Sequence, residues 1–170
     1  KTPSLIVIPM QGYNRQKTVS LPVPPSPNLK TLDAILCYPS LGWFEGSCLS
    51  LGRGTETPFL MFGHPQYTNR SFSFTPTPNR LNTSPRYALT PCYGTSLALV
   101  NWLKNHPRKL NLQWLIEAYA AIPDSIPFFE STFDKHSGTK LLQHQIKQRL
   151  PESQIRKTWT TNLELFKKRR

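Results

Sequence analysis

The sequence has few acidic residues, few cysteines and no long apolar run. Nine Asp and Glu stand against 21 Lys and Arg in 170 residues, so the formal net charge is +12. Three cysteines, Cys37, Cys48 and Cys92, have no CxxC or histidine-paired spacing, which excludes a disulfide framework and a zinc module. One bridge, Cys37–Cys92 or Cys48–Cys92, stays open. No apolar run approaches the roughly 20 residues that cross a bilayer, so we predict no membrane span.

The positive charge is uneven along the chain. From Lys135 to Arg170 there are ten basic residues and two acidic ones. This run fits a solvated helical face, or a surface attracted to an anionic polymer. A basic nucleic-acid-binding module is the less favoured alternative, because the aromatic residues do not alternate with Lys and Arg as stacking platforms require. We therefore expect no nucleic-acid partner.

Proline is frequent, with 17 residues, and predicts long loops and few long helices. The apolar patterns indicate an α+β fold, a small antiparallel sheet with about three to five helices. Predicted strands cover Leu5–Ile8, Phe72–Pro76, Tyr87–Cys92 and Gly94–Trp102. Leu97, Leu99 and Val100 are predicted to be core residues. The polar loop Asn79–Arg86 lies between strands and could form a flap.

Five helices are predicted from apolar spacing and end signals. The first covers Leu29–Cys37, with Leu32, Ile35 and Leu36 on one face, and the second covers Pro58–Phe62. The third is capped by Asn111, the fourth follows Gly138, and the fifth is capped by Ser153. The last helix carries a stripe of Ile155, Trp159, Leu163 and Phe166, which is predicted to be core.

The most informative stretch runs from Tyr38 to Phe59. Gly52 and Gly54 flank Arg53, and Glu45 and Glu56 lie close in sequence. A guanidinium between glycines presents its planar fork freely and suits a carboxylate or another oxygen-rich group. Thr55 could cap the helix near Pro58, whose open N-terminus would add donors for an anion. The alternative is a tight turn whose arginine pairs with a nearby acid.

Many short motifs in this chain resemble one family in the same order. They are PSPN at Pro25–Asn28, YPS at Tyr38–Ser40, FEG at Phe44–Gly46, SLGRGT at Ser50–Thr55, PF at Pro58–Phe59, GHP at Gly63–Pro65, FTP at Phe74–Pro76, CYG at Cys92–Gly94, FDKHSG at Phe133–Gly138 and QIR at Gln154–Arg156. The sequence is similar to the DUF1343 proteins, the exo-β-N-acetylmuramidases of the NamZ type. Inside the motif region, Cys48 replaces a frequent asparagine.

The resemblance implies a two-domain protein with its active site between the domains. Residues 1–21 would hold the last strand and exit of a Rossmann-like N-terminal domain, residues 22–28 a proline-rich connector, and residues 29–170 the C-terminal α+β domain. The rest of the N-terminal domain would lie upstream, preceded by a signal peptide, and the bacterial protein would be periplasmic or secreted. The implied activity is release of N-acetylmuramic acid from the non-reducing ends of peptidoglycan fragments.

The implied site combines the family motifs with the glycine-flanked arginine. Arg53 would bind the lactyl carboxylate of muramic acid, and Glu45, preceded by Trp43 and Phe44, is the candidate catalytic residue here. The principal catalytic carboxylates would lie in the N-terminal domain, so residues 1–170 alone would be inactive. Further candidate substrate-binding residues are Ser50, Glu56, Tyr13, Arg15, Ser26, Asn28 and His64.

We expect neither a metal nor a cofactor, since His64 has no second histidine at ligand spacing. The expected partners are muramic-acid saccharides and the N-terminal domain. A non-catalytic carbohydrate-binding or interaction domain is the alternative to the hydrolase reading.

Overall fold

A computed structural model describes residues 3–14, 16, 19, 21–97 and 109–169. Within them lie a short antiparallel sheet and five α-helices. The strands are β1 (Met61–His64), β2 (Ser73–Phe74) and β3 (Cys92–Ser96). The helices are α1 (Leu32–Leu41), α2 (Gln113–Ala120), α3 (Phe133–Ser137), α4 (Lys140–Lys147) and α5 (Glu152–Arg169), and a 3₁₀ helix (Gly42–Gly46) follows α1. The predicted α+β fold with a small antiparallel sheet is confirmed.

Strand β3 is the centre of the sheet, whose order is β1-β3-β2. Met61 of β1 pairs with Ser96, and Phe74 of β2 pairs with Cys92. The predicted strand from Gly94 is present as far as Ser96, and Leu97 is buried as predicted. Its remaining residues 98–102, including Leu99 and Val100, lie outside the described part of the chain.

Helix α1 begins and ends later than predicted. The Oγ1 atom of Thr31 accepts a hydrogen bond from the Ala34 N–H at 3.2 Å, which fixes the start of the helix. The helix then continues through Pro39 into the 3₁₀ helix. Its buried face consists of Ala34, Cys37, Ser40 and Leu41, whereas Leu32, on the predicted apolar face, is exposed.

Two predicted elements are wrong because long-range partners determine the local backbone. No helix forms at Pro58–Phe62, since the chain enters β1 at Met61 and pairs with β3. The segment Tyr87–Pro91 forms turns instead of a strand. Tyr87 and Leu89 have φ of 58° and 59°, left-handed values that a strand does not adopt.

The N-terminal apolar run does not form the predicted buried strand. Leu5, Ile6, Val7 and Ile8 lie outside any helix or strand and are 74–88% exposed. A strand buried on both faces requires flanking strands and covering elements. None of the described residues supplies them. The assignment of residues 1–21 to an N-terminal domain stays a prediction.

The helices after residue 109 largely follow the predicted patterns. The Oδ1 atom of Asn111 accepts a hydrogen bond from the Trp114 N–H at 3.1 Å and caps the first turn of α2. Leu142 and Ile146 of α4 are buried, as is Ile155 of α5. Trp159 packs partly buried against the core.

The second half of α5 differs from its prediction. Leu163 and Phe166 are 48% and 59% exposed, so the predicted core stripe stops at Trp159. No described segment covers this half of the helix. Ser153 does not cap α5, which already begins at Glu152.

The core joins the 3₁₀ helix to the sheet on one side and to α3 on the other. The Phe44 and Phe62 rings lie 4.8 Å apart between centroids, and both are fully buried. Gly46 is packed directly on α3, since a Cβ atom there would lie 2.5 Å from the Phe133 Cα atom. Only glycine permits this approach.

We predict that Gly46→Ala destabilises the protein by roughly 1–3 kcal/mol, because the added methyl group meets backbone atoms that cannot move aside. Gly42→Ala is the matched control. Gly42 has helical φ and ψ angles and open space around its Cα atom. Urea denaturation followed by circular dichroism measures the free energy of unfolding of both variants. Equal midpoints for the two variants would contradict the packing argument.

Candidate functional site

The glycine-flanked arginine lies on a tight turn. Gly52 and Gly54 have φ of 71° and 87°, the left-handed values that favour glycine. The N–H and Oγ1–H groups of Thr55 both donate to the Gly52 carbonyl, at 3.0 and 2.7 Å. Thr55 therefore closes a turn instead of capping a helix, and the predicted helix N-terminus for an anion is wrong.

The Arg53 guanidinium rests on an aromatic ring. Its central carbon lies 4.8 Å from the centroid of Phe59, which is buried and adopts a left-handed φ of 62°. Its Nη2 atom lies 3.4 Å from Oε2 of Glu45. A guanidinium has five N–H donors, and this contact uses only one of them. The pairing with a nearby acid, considered as the alternative from the sequence, is present.

Glu45 projects from the 3₁₀ helix toward Arg53. Its Oε1 atom is buried and has no hydrogen-bond partner among the described residues. Phe44 points into the core, and Trp43 packs partly buried against it. A buried oxygen without a partner costs free energy, so the position of Glu45 is maintained by the surrounding fold.

Glu45 and Arg53 line a cleft of about 360 Å³. One wall is formed by the predicted motif region and the other by the end of the polar loop. The lining residues are Glu45, Leu49, Ser50, Leu51 and Arg53 on the first wall, and Leu81, Asn82, Thr83, Ser84, Pro85 and Arg86 on the second. The cleft is open to solvent and mostly polar, which suits a hydrated ligand.

Side-chain contacts fasten the second wall in place. The Nη1 atom of Arg86 lies 2.6 Å from Oε1 of Glu130. The Tyr87 hydroxyl donates to the Cys48 carbonyl at 2.7 Å. The Nδ2 atom of Asn82 donates to Oδ1 of Asn28 at 3.0 Å and joins the loop to the connector.

The sequence did not single out Arg86 as a site residue. Its local signal, a basic residue in the loop Asn79–Arg86, is weak. The role of the position depends on Glu130, which is distant in the sequence.

Besides Glu45 and Arg53, three candidate residues lie at or next to the cleft. Ser50 is buried in the first wall, and its Oγ atom accepts from the Gly52 N–H at 3.4 Å. Asn28 contacts the second wall through Asn82. The Oγ atom of Ser26 accepts from the Asn28 N–H at 3.3 Å and stabilises that turn of the connector.

Other candidates are not brought to the cleft lining. Glu56 is exposed on the turn after Gly54, and Tyr13 is half exposed in the N-terminal segment. Neither residue lines the cleft. Arg15 lies outside the described residues.

His64 is a buried residue of β1, 7% exposed. Its Nδ1 atom accepts a hydrogen bond from the Gln66 N–H at 2.9 Å, and its ring meets Tyr87 edge to face at 5.0 Å. Burial, and secondarily the charge of Arg86, lower the pKa of His64. The neutral imidazole therefore fits this position, with Nδ1 as an acceptor.

The three cysteines are buried free thiols, so neither considered bridge is present. Burial raises the pKa of Cys37 and Cys92 to about 12 and that of Cys48 to about 11. Among the described residues, no three His, Cys, Asp or Glu side chains are grouped to hold a metal ion. No helix in the described ranges is long and apolar enough to cross a membrane.

Comparison with known proteins identifies the family. The family model for the C-terminal part of exo-β-N-acetylmuramidase NamZ matches residues 36–170. The chain belongs to the NamZ family. This confirms the resemblance drawn from the sequence motifs.

A solved structure and a curated relative agree with this assignment. A crystal structure of a DUF1343 family protein from Bacteroides fragilis is 34% identical, with a TM-score of 0.86, over 92% of this chain and 44% of that one. The peptidoglycan β-N-acetylmuramidase NamZ of Bacillus subtilis strain 168 is 28% identical over 98% of this chain and 44% of its own length. The chain thus spans less than half the length of these NamZ-family relatives.

The lowered pKa of His64 predicts a pH dependence of stability. Below about pH 6.5 the unfolded chain takes up a proton that folded His64 resists, so the free energy of unfolding decreases as the pH falls toward the folded-state pKa. In His64→Asn, the carboxamide oxygen can still accept from the Gln66 N–H, but nothing titrates. We expect a shallower decrease of stability between pH 7 and 5.

The measurement is urea denaturation at several pH values. His144→Asn, at an exposed position of α4, is the control that should keep the wild-type slope. An unchanged slope in His64→Asn would contradict the assignment of this pH dependence to His64.

Proposed function

We propose that this chain is the C-terminal part of an exo-β-N-acetylmuramidase, a glycoside hydrolase that releases N-acetylmuramic acid from the non-reducing ends of peptidoglycan fragments. The observation that carries the proposal is the Arg53 cleft, in a chain that belongs to the NamZ family. A bacterial peptidoglycan substrate would place the protein in the periplasm or outside the cell.

Arg53 fits the group that distinguishes muramic acid from N-acetylglucosamine, the lactyl carboxylate. Its guanidinium is supported by the Phe59 ring, and its side chain is 38% exposed. The single 3.4 Å contact with Glu45 leaves an edge of the fork for a second carboxylate. A neutral sugar would desolvate this cation without pairing it, which favours the acidic sugar.

The cleft supplies fewer acidic groups than the reaction needs. Most glycosidases use two carboxyl groups, one on each side of the scissile bond. Glu45 is the one acidic side chain that lines the described cleft. We infer that the principal catalytic carboxylates belong to an N-terminal domain beyond the connector, and that these residues contribute substrate binding to a cleft between the two domains.

Binding by the chain tests the role of Arg53. We expect N-acetylmuramic acid to bind more tightly than N-acetylglucosamine, and Arg53→Gln to remove most of that preference, a loss of about tenfold or more for a charged hydrogen bond. Isothermal titration calorimetry, or NMR titration for weak binding, measures both sugars. Arg70→Gln is the control, because Arg70 stacks on Tyr93 and does not line the cleft.

Equal affinity of the wild type for the two sugars would contradict the proposed selection by Arg53. Tight, salt-sensitive binding of DNA at moderate ionic strength would instead favour the nucleic-acid alternative.

Enzymatic activity tests whether the principal catalytic carboxylates belong to the N-terminal domain. Residues 1–170 alone should release no N-acetylmuramic acid from a chromogenic muramide, because the principal carboxylates are not among them. The protein encoded by the complete reading frame should release it, and Arg53→Gln should reduce its kcat/KM. Hydrolysis by residues 1–170 alone would contradict the proposal. An unchanged kcat/KM in the variant would favour the non-catalytic binding role for this domain.

A further inference from the structure

We propose that Arg86 is a second substrate-binding residue of the cleft, and that it acts together with Arg53 to select a saccharide that carries a carboxylate. The inference rests on the proposed function and deepens it, because it names a further recognition residue on the second wall of the cleft.

The position of Arg86 is the first argument. It ends the second wall of the cleft, and Arg53 lies on the first wall. Their side chains are 39% and 38% exposed, so each arginine is partly open to solvent. A ligand in the 360 Å³ cleft lies between two walls that each carry an arginine.

The support of Arg86 is the second argument. Glu130 binds one edge of its guanidinium at 2.6 Å and does not itself line the cleft. A contact from outside the cleft holds the planar group in orientation and leaves further N–H donors for a ligand. The same relation holds at Arg53, which Phe59 supports through its ring.

The backbone beside each arginine is the third argument. Phe59, which supports Arg53, has φ of 62°, and Tyr87, which follows Arg86, has φ of 58°. Bulky residues seldom adopt left-handed values, and such strain concentrates at ligand sites because it is maintained only where the surrounding structure fixes it. Here the Tyr87 hydroxyl is fixed by the Cys48 carbonyl.

The charge of the cleft is the fourth argument. Its lining carries two cationic side chains, Arg53 and Arg86, and each is paired with one carboxylate, Glu45 or Glu130. Each guanidinium keeps further N–H donors, from which a carboxylate on the ligand can accept. A neutral amino sugar covers these donors without an anionic acceptor, and the lost hydration lowers its affinity.

The test is titration of the chain with N-acetylmuramic acid and N-acetylglucosamine. Arg86→Gln should weaken binding of the acidic sugar about tenfold and should not weaken binding of the neutral sugar. Arg86→Lys should recover part of the affinity, because it keeps the charge but loses the fork. Arg80→Gln is the matched control, since Arg80 is exposed on the same loop but does not line the cleft.

The outcomes separate this inference from the proposed function. If wild type prefers the acidic sugar and Arg86→Gln behaves like Arg80→Gln, the inference is wrong and the proposed function stands. An equal loss of affinity for both sugars in Arg86→Gln would also overturn it, because that result indicates a structural role. If wild type shows no preference, both fail. Melting temperatures of the variants check that each is folded.

Discussion

The segment Phe128–Phe133 fixes both walls of the cleft, and the geometry of the site depends on it. The Phe128 carbonyl accepts a hydrogen bond from the Cys48 N–H at 2.8 Å, and the Glu130 N–H donates one to the Gly46 carbonyl at 2.9 Å. The Glu130 side chain then binds Arg86 on the other wall. One segment thus holds both walls of the cleft. The spacing of the two arginines therefore follows from the packing of the 3₁₀ helix on α3, where only glycine fits at position 46.

Some elements could be predicted because local chemistry determines them. Asn111 caps α2, and the apolar spacing of Leu142 and Ile146 places one face of α4 in the core. The turn around Arg53 was indicated by its two glycines, which adopt the expected left-handed φ. In each case the decisive signal, a cap, an apolar spacing or a pair of glycines, lies within a few residues, so the sequence window contains the information.

Other elements could not be predicted because their partners are distant in the sequence. Pro58–Phe62 resembles a helix start, but pairing of β1 with β3 requires an extended chain. Leu5–Ile8 has the composition of a buried strand and is exposed because no described segment covers it. The Arg86 guanidinium is held by a salt bridge to Glu130, which is distant in the sequence. The sequence therefore indicated the wall of the cleft that carries Arg53, and it did not indicate the wall that carries Arg86.

The arrangement of charge explains how such a cleft favours specificity over simple affinity. Each arginine already has a carboxylate partner, Glu45 or Glu130, so the empty cleft does not hold an uncompensated cation. These contacts are partly exposed and worth little individually. A ligand gains only if it brings oxygens that fit the remaining donors, since a neutral one desolvates the cations without replacing the lost water. Preference for an acidic sugar then arises both from the hydrogen bonds that its carboxylate gains and from the penalty on a neutral sugar.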